Sequence, residues 1–274
     1  MRPNNINRFI LVMFLFVLAV LFIYPFFWMI GGTLKPEAEV MTFSPFGSSW
    51  SLDSYKAMLS KIPMFQALFN SLLVSVISTI SVLVSCSMLG YALARLRFKG
   101  RSLIFNVILF TMVLPFQLTL IPLYVLMVKF GWVDSYAALI IPYTMSAFAI
   151  LLFRQFFQQV PQDLIDAARI DGLGEMGILF RIFWPLSKPA LITVGIIHFM
   201  GMWNDALWPM IVVRKLSMMT MPQMVALYAV GGQAESQIGT QLAAATLMSL
   251  PIIITYLVLQ RHFIQSMATS GLKS

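Results

Sequence analysis

Six long apolar runs separated by shorter polar stretches set the pattern of this chain. The first, residues 9–30 (FILVMFLFVLAVLFIYPFFWMI), is uninterrupted and follows Arg2 and Arg8. A helix crossing a bilayer needs about 20 apolar residues, which this run supplies. A cleaved signal peptide is the competing interpretation, with Val17-Leu18-Ala19 as its small-residue site. A signal's apolar core ends there, whereas this run continues to Trp28, which favours an uncleaved first span. Further spans are expected at about 67–94, 103–128, 136–157, 188–213 and 241–259. Pro115, Pro122, Pro142 and Pro251 lie inside these runs; they would break a helix in water, but in a bundle neighbours can satisfy the freed carbonyl groups. Phe69-Asn70-Ser71 opens the second span, and Ser75, Ser78, Ser81 and Ser85 recur along it at helical steps, a stripe that suits close helix packing.

The polar stretches differ in character. Residues 35–64 hold a Pro, Gly and Ser-rich turn region, then a short amphipathic helix carrying Tyr55, Met58 and Leu59, capped by Ser51 or Asp53. Arg95, Arg97, Lys99 and Arg101 form a tight basic hairpin, and residues 129–135 form a short turn. Residues 216–240, with Pro222, Gly231-Gly232 and Glu235, make a second loop. The segment Val160–Pro189 is the longest polar interruption of the second half and holds Asp163, Asp166, Asp171 and Glu175, four of the ten acidic residues. Pro161 starts a helix whose Leu164, Ile165 and Ala168 fall at helical spacing, and Gly172 suits the left-handed position that ends it. A second helical stretch, Met176 to Trp184, is expected to stop at Pro185, and Ser187 to cap the fifth span with Pro189 in its first turn.

Composition narrows the class. The chain is 59% hydrophobic and 10% charged with mean hydropathy +0.87, against about 25% charged for a soluble chain. A net charge of +8 raises nucleic acid as a partner, but the cations sit at the ends of apolar runs, where they set orientation instead. With the N-terminus inside, twelve Lys and Arg fall on the inner side and six on the outer, which predicts both termini and residues 160–188 in the cytoplasm. Cys86 stands alone, so no internal disulfide exists, and His198 and His262 are too isolated for a metal site. There is no phosphate-binding G-x-x-x-x-G-K-[ST] loop, no H-E-x-x-H and no G-x-S-x-G, so neither ATP binding nor hydrolase chemistry is expected here.

The core of the polar segment resembles the EAA loop of ABC importer permeases: E-A-A, three residues, G, nine residues, I-x-L-P. Here it reads Asp166-Ala167-Ala168, three residues, Gly172, nine residues, Ile182-x-Trp184-Pro185, with Asp for Glu and Trp for Leu. Residues 114–143, 199–213 and the tail QRHFIQSMATSGLKS are similar to carbohydrate-type permeases, especially the smaller permease of maltose-type importers and multiple-sugar permeases. The resemblance implies an all-α polytopic membrane protein of the type I ABC importer fold, with six transmembrane helices and a cytoplasmic coupling loop at about 160–188. It implies an N-terminal helix and external loop (1–66), a permease domain (67–260) and a cytoplasmic tail (261–274). The expected partners are a second permease, two ATP-binding subunits and a periplasmic or extracellular solute-binding protein in a prokaryotic inner or plasma membrane. The chain itself would bind no cofactor, with ATP and magnesium used by the partner subunit, and would not be an enzyme.

On that resemblance, Asp166, Ala167 and Ala168 fit a cleft of the ATPase, Asp171 is a further coupling residue, Gly172 sets the turn, and Ile182 and Pro185 form the junction with span five. Substrate would be a sugar or oligosaccharide, with glycerol-3-phosphate or another polyol as alternative. In the fifth span Asn204 and Asp205, flanked by Trp203 and Trp208, are the intramembrane polar group; they suit sugar hydroxyls and rings, but anchoring near the outer interface is the favoured reading. An ion-coupled secondary transporter would need charged relays and an internal repeat; no repeat is visible and buried charge is nearly limited to Asp205. A membrane scaffold without transport is the third class.

Overall fold

Where neighbours are hydrocarbon, each backbone N–H and C=O must find its partner within its own segment, so long apolar runs wind into helices. Every regular element among the described residues is helical. The computed structural model describes residues 5–61, 63–230 and 238–271. Arg2, Gly231-Gly232, Glu235 and Lys273, and the side chains of Arg261 and His262, lie outside the described residues.

Two compact units emerge, residues 1–64 with 224–251 and residues 65–223 with 252–274. In the first, helix α1 (Asn5–Thr33) extends the predicted apolar run at both ends, and none of its most apolar window is buried within the chain. The loop after it folds onto the end of α1: Tyr24 donates its hydroxyl to the Phe43 carbonyl at 2.8 Å and Trp28 Nε1 to that of Thr42 at 2.9 Å. Lys35, only 1% exposed, donates Nζ to Thr42 Oγ1 at 3.0 Å and to the Ser44 carbonyl. Helix α2 (Asp53–Lys61) begins beside Ser51, whose Oγ accepts the Asp53 N–H at 3.0 Å. Its Met58 is buried, whereas Leu59 faces outward.

The second unit starts with α3 (Met64–Arg95), followed by α4 (Arg101–Val113). The third predicted span is not one helix: the chain turns 105° between α4 and the segment Phe116–Lys129, which is a 3-10 turn followed by α5 (Leu120–Lys129). Pro115, with no N–H to donate, stands at that break. The fourth predicted span is α6 (Tyr136–Ile140) with a 3-10 turn, then α7 (Ala147–Gln158) after a 43° bend. Next come α8 (Gln162–Ile170) and a continuous helical stretch made of α9 (Glu175–Ile178), a π-helical turn (Leu179–Phe183) and α10 (Trp184–Leu186). Pro185 does not stop this helix. It lies just after the π-helical turn inside this stretch, and the stop falls two residues later at Ser187 with an 86° bend into α11 (Lys188–Asn204). Nor does Ser187 cap α11 with its side chain; it is buried, and its N–H bonds back to the Phe183 carbonyl at 2.9 Å.

The fifth predicted span breaks again at Asp205, and α12 (Leu207–Val212) follows. Helix α13 (Met221–Val230) and the long α14 (Ile238–Gly271) complete the chain, so the predicted tail is helical as far as Gly271. Among the described residues three helices are long and apolar enough to cross a membrane unbroken, and counting each bent pair as one span gives up to six.

Packing in the second unit is tight where α3 meets α7. A Cβ on Gly90 would lie 2.8 Å from Phe153 Cβ and 3.2 Å from backbone atoms of α7, so only glycine allows this approach. Arg95 closes the same junction by donating Nε to the Phe157 carbonyl at 3.0 Å and Nη2 to that of Val160, satisfying the open end of α7. Elsewhere, fully buried Asn70 uses its whole amide: Nδ2 donates to Ser217 and Met219 carbonyls, and Oδ1 accepts from Tyr136 and Gln66. Asp134, at φ 59°, clamps the loop after α12 by accepting the N–H groups of Arg214 and Lys215 at 2.5 and 2.8 Å.

Candidate functional site

Two features carry chemistry that the fold alone does not require: the polar element at 160–188 and a cavity among broken helices.

The element is a helix–turn–helix mounted on an aromatic core. Helix α8 ends as its sequence predicts. Gly172 sits at φ +83°, its N–H bonds to the Arg169 carbonyl at 3.0 Å, and the Leu173 N–H reaches back to Ala168 at 3.0 Å. That paired arrangement is the Schellman ending, and it satisfies carbonyls the helix leaves open. Ile165 and Ala168 face inward with Ile178, Leu179 and Phe183. Phe183 lies edge-on between Tyr91 and Phe157, with ring centres 5.0 Å from each. Ala168 is therefore part of this chain's own core, and the expectation that both alanines meet a partner is corrected: only Ala167 is exposed. Asp166 and Asp171 are also exposed, Pro185 is exposed and Ile182 is half-buried against the core. Leu164 and Ile170 add apolar surface, Ile170 being 86% exposed.

A clasp not evident in the sequence holds the element's two arms. Arg169 donates Nε and Nη2 to Glu175 Oε1 at 3.1 and 3.0 Å across the glycine turn. The Tyr91 hydroxyl of α3 donates to the other oxygen, Oε2. Asp166 is met within the chain by Gln162 Nε2 at 3.0 Å and by Arg169 at 3.6 Å. Trp184, the departure from the family pattern, donates its indole N–H to Ser87 at 3.0 Å, a tie that leucine cannot make.

The cavity, about 440 Å³, opens where backbone regularity fails. Phe116 and Gln117 come from the α4/α5 bend, Tyr143 and Ser146 from the α6/α7 bend, and Asn204, Asp205 and Leu207 from the α11/α12 break; His198 lines it from α11. Irregular backbone at membrane depth is tolerated where it lines such a space. Asp205 is the organising group. Its Oδ1 accepts the N–H groups of Leu207 at 3.0 Å and Trp208 at 3.4 Å, starting α12, and its Oδ2 accepts the Tyr143 hydroxyl at 2.8 Å. Asn204 is exposed and bonds its own helix through Met200. Trp208 departs from expectation: it is wholly buried, with its N–H given to the Ala138 carbonyl at 2.8 Å, so its ring is not presented to the cavity. Trp203 is buried too. The residues missed from sequence, Tyr143 and Gln117, were signalled by the neighbouring Pro142 and Pro115. Among the described residues no group of His, Cys, Asp and Glu is placed to hold a metal ion.

Comparison with known proteins agrees with this architecture. Residues 87–269 match the family described as "Binding-protein-dependent transport system inner membrane component". The arabinooligosaccharides transport system permease protein AraQ of Bacillus subtilis (strain 168) is 34% identical over 276 residues, covering 98% of this chain and 97% of that one. The lactose transport system permease protein LacG of Rhizobium radiobacter is 31% identical, covering 92% of each. A chain of the crystal structure of a bacterial ABC transporter that imports the acidic polysaccharide alginate superposes with TM-score 0.80, 24% identity, and coverage of 96% of this chain and 98% of that one. At that identity the superposition speaks for the fold alone, which is all-α. The chain belongs to the binding-protein-dependent transport system inner membrane components.

Proposed function

We propose that this permease subunit translocates a sugar or oligosaccharide by alternating access, driven by ATP hydrolysis in separate partner subunits. The observation that carries the proposal is the mount of the 160–188 element. Its outer face, with Leu164, Asp166, Ala167, Ile170 and Asp171, is exposed, while its inner face is locked to α3 and α7 through Tyr91, Phe157 and Phe183. A partner that grips the outer face moves a rigid body and so biases the spans between two states. Gly172 sets the turn, and Ile182 and Pro185 join it to α11. The absence of a phosphate loop from this sequence supports the reading that ATP and magnesium are used by two separate ATP-binding subunits. A second permease and a periplasmic or extracellular solute-binding protein complete the complex, a partner set supported by the family. The excess of basic residues on one side supports cytoplasmic termini and a cytoplasmic 160–188 element.

Sugar as substrate is supported by relatives named for arabinooligosaccharides and lactose, and by a cavity with aromatic, amide and carboxylate groups. The test is affinity purification from native membranes in mild detergent, followed by reconstitution. Co-purification of an ATPase and a second permease, with ATP-dependent uptake of a sugar, is expected. Isolation of the chain alone, with uptake driven by an ion gradient, would falsify the proposal.

A further inference from the structure

The cavity holds a combination that neither packing nor helix capping demands. Phe116 and Tyr143 place their rings 5.7 Å apart at 36°, an apolar face open to the space. Gln117 and Asn204 contribute amides, and buried His198 Nε2 has no hydrogen-bond partner. Its volume lies within the range of small-molecule sites, about 300–1,000 Å³. Among the described residues that line it, only Asp205 is acidic and none is Lys or Arg. That carboxylate is fixed by Tyr143 and by two backbone N–H groups, so it cannot swing away from an incoming ligand.

We infer that this cavity is a saccharide subsite of this subunit that takes uncharged sugars and rejects anionic ones, with Asp205 as the discriminating group. The inference rests on the importer proposal above and names the substrate class within it. Neutral sugar hydroxyls donate to a carboxylate and accept from amides, while the ring's C–H face lies on Phe116 or Tyr143. A uronate or phosphate brought within about 4 Å of Asp205 meets like charge with no cation in the lining. At the effective dielectric of such sites that repulsion weakens binding on the order of 100-fold or more. The distinction has content, because the same fold serves the import of an acidic polysaccharide in the alginate transporter.

The test uses the complete transporter in lipid nanodiscs with Gly201→Cys in this chain and the partners' accessible cysteines replaced. Gly201 lines the cavity and an added Cβ meets nothing within 4 Å, while the native Cys86 is buried. Maleimide labelling of the introduced thiol is timed in the presence of arabinotriose, lactose or trigalacturonate. The neutral sugars are expected to slow labelling, and trigalacturonate to need a concentration on the order of 100-fold higher. Asp205→Asn should bring the two classes within about tenfold of each other. Because Asp205 also starts α12, Tyr143→Phe serves as a second variant; it keeps the charge, and the Leu207 and Trp208 N–H groups still hold the carboxylate, so discrimination should persist. Equal protection by trigalacturonate, loss of discrimination in Tyr143→Phe, or no protection by any sugar overturns the inference. Uptake by the same complex separates the two claims. ATP-driven sugar uptake without protection removes the subsite alone, whereas no ATP-driven uptake removes the importer proposal and the subsite with it.

Discussion

Replacing Tyr91 by Phe removes a single hydroxyl from the junction between α3 and the 160–188 element. That hydroxyl, on a ring 3% exposed, donates to the Glu175 carboxylate. A hydrogen bond to a charged group contributes about 1.5–3 kcal/mol. Glu175 is 42% exposed in its side chain, so the lower end, about 1.5 kcal/mol, applies. The Arg169–Glu175 pair, 40% and 42% exposed, adds about 0–1 kcal/mol. Glu175→Gln weakens both contacts and should cost about 2 kcal/mol, and the double variant little more, leaving a coupling near 1 kcal/mol. Hydrogen–deuterium exchange on the intact complex reads this directly. Amides in 162–178 should exchange about tenfold faster in Tyr91→Phe and about thirtyfold faster in Glu175→Gln, since 1.4 kcal/mol is a factor of ten in local opening. Strictly additive effects of the two changes, or unchanged protection in Tyr91→Phe, would show that the clasp does not hold the element.

Three further outcomes are expected. Gly172→Val forces a β-branched residue to φ +83° with open space around it; the cost, about 1–2 kcal/mol from the backbone alone, should release the proposed ATP-binding partners on purification, and Gly172→Asn should release less. Gly90→Val collides with Phe153 and α7 and should lower the thermal midpoint of the purified complex by the equivalent of about 1–3 kcal/mol or more, with little rescue by lipid. Asp134 is held below the usual carboxylate range by the N–H groups of Lys215 and Arg214. Its contribution is thus complete above the ordinary carboxylate pKa, about 3.9, and is lost as pH falls through the lowered value. Proteolysis after residue 214 should rise in that acid window, and Asp134→Asn should flatten this dependence.

What was legible in the sequence was what local sterics dictate. Pro161 and Gly172 bracket α8 because a ring fixes φ at one end and a missing Cβ permits the left-handed turn at the other. The spans were legible as apolar runs, but their breaks were only half so. Pro115 and Pro142 announced two, whereas the α11/α12 break carries no proline at Asp205; it forms where the carboxylate takes over N–H groups that the helix would otherwise use. The triplet Asp166-Ala167-Ala168 could not reveal that one alanine packs inward, because that depends on Ile178 and Phe183 arriving from beyond the turn. Trp208 had a polar neighbour and an aromatic ring, the same signal whether it lines a cavity or donates to Ala138 across the packing. The Tyr91–Glu175 contact joins residues 84 apart, beyond the reach of any local pattern.

The π-helical turn Leu179–Phe183 has a consequence for how this region tolerates insertion and deletion. Such a turn accommodates one residue more than α-helical winding would. It therefore acts as a phase shifter: each residue of an α-helix advances the facing direction by about 100°. Deleting one residue there can relax the turn to ordinary winding with every hydrogen bond intact, so the helix itself would survive. Deleting one from the regular turn before it, Glu175–Ile178, would instead swing Trp184 away from Ser87 and Phe183 out of its aromatic slot. The nine-residue interval between Gly172 and Ile182 is in this sense an angular constant as much as a length.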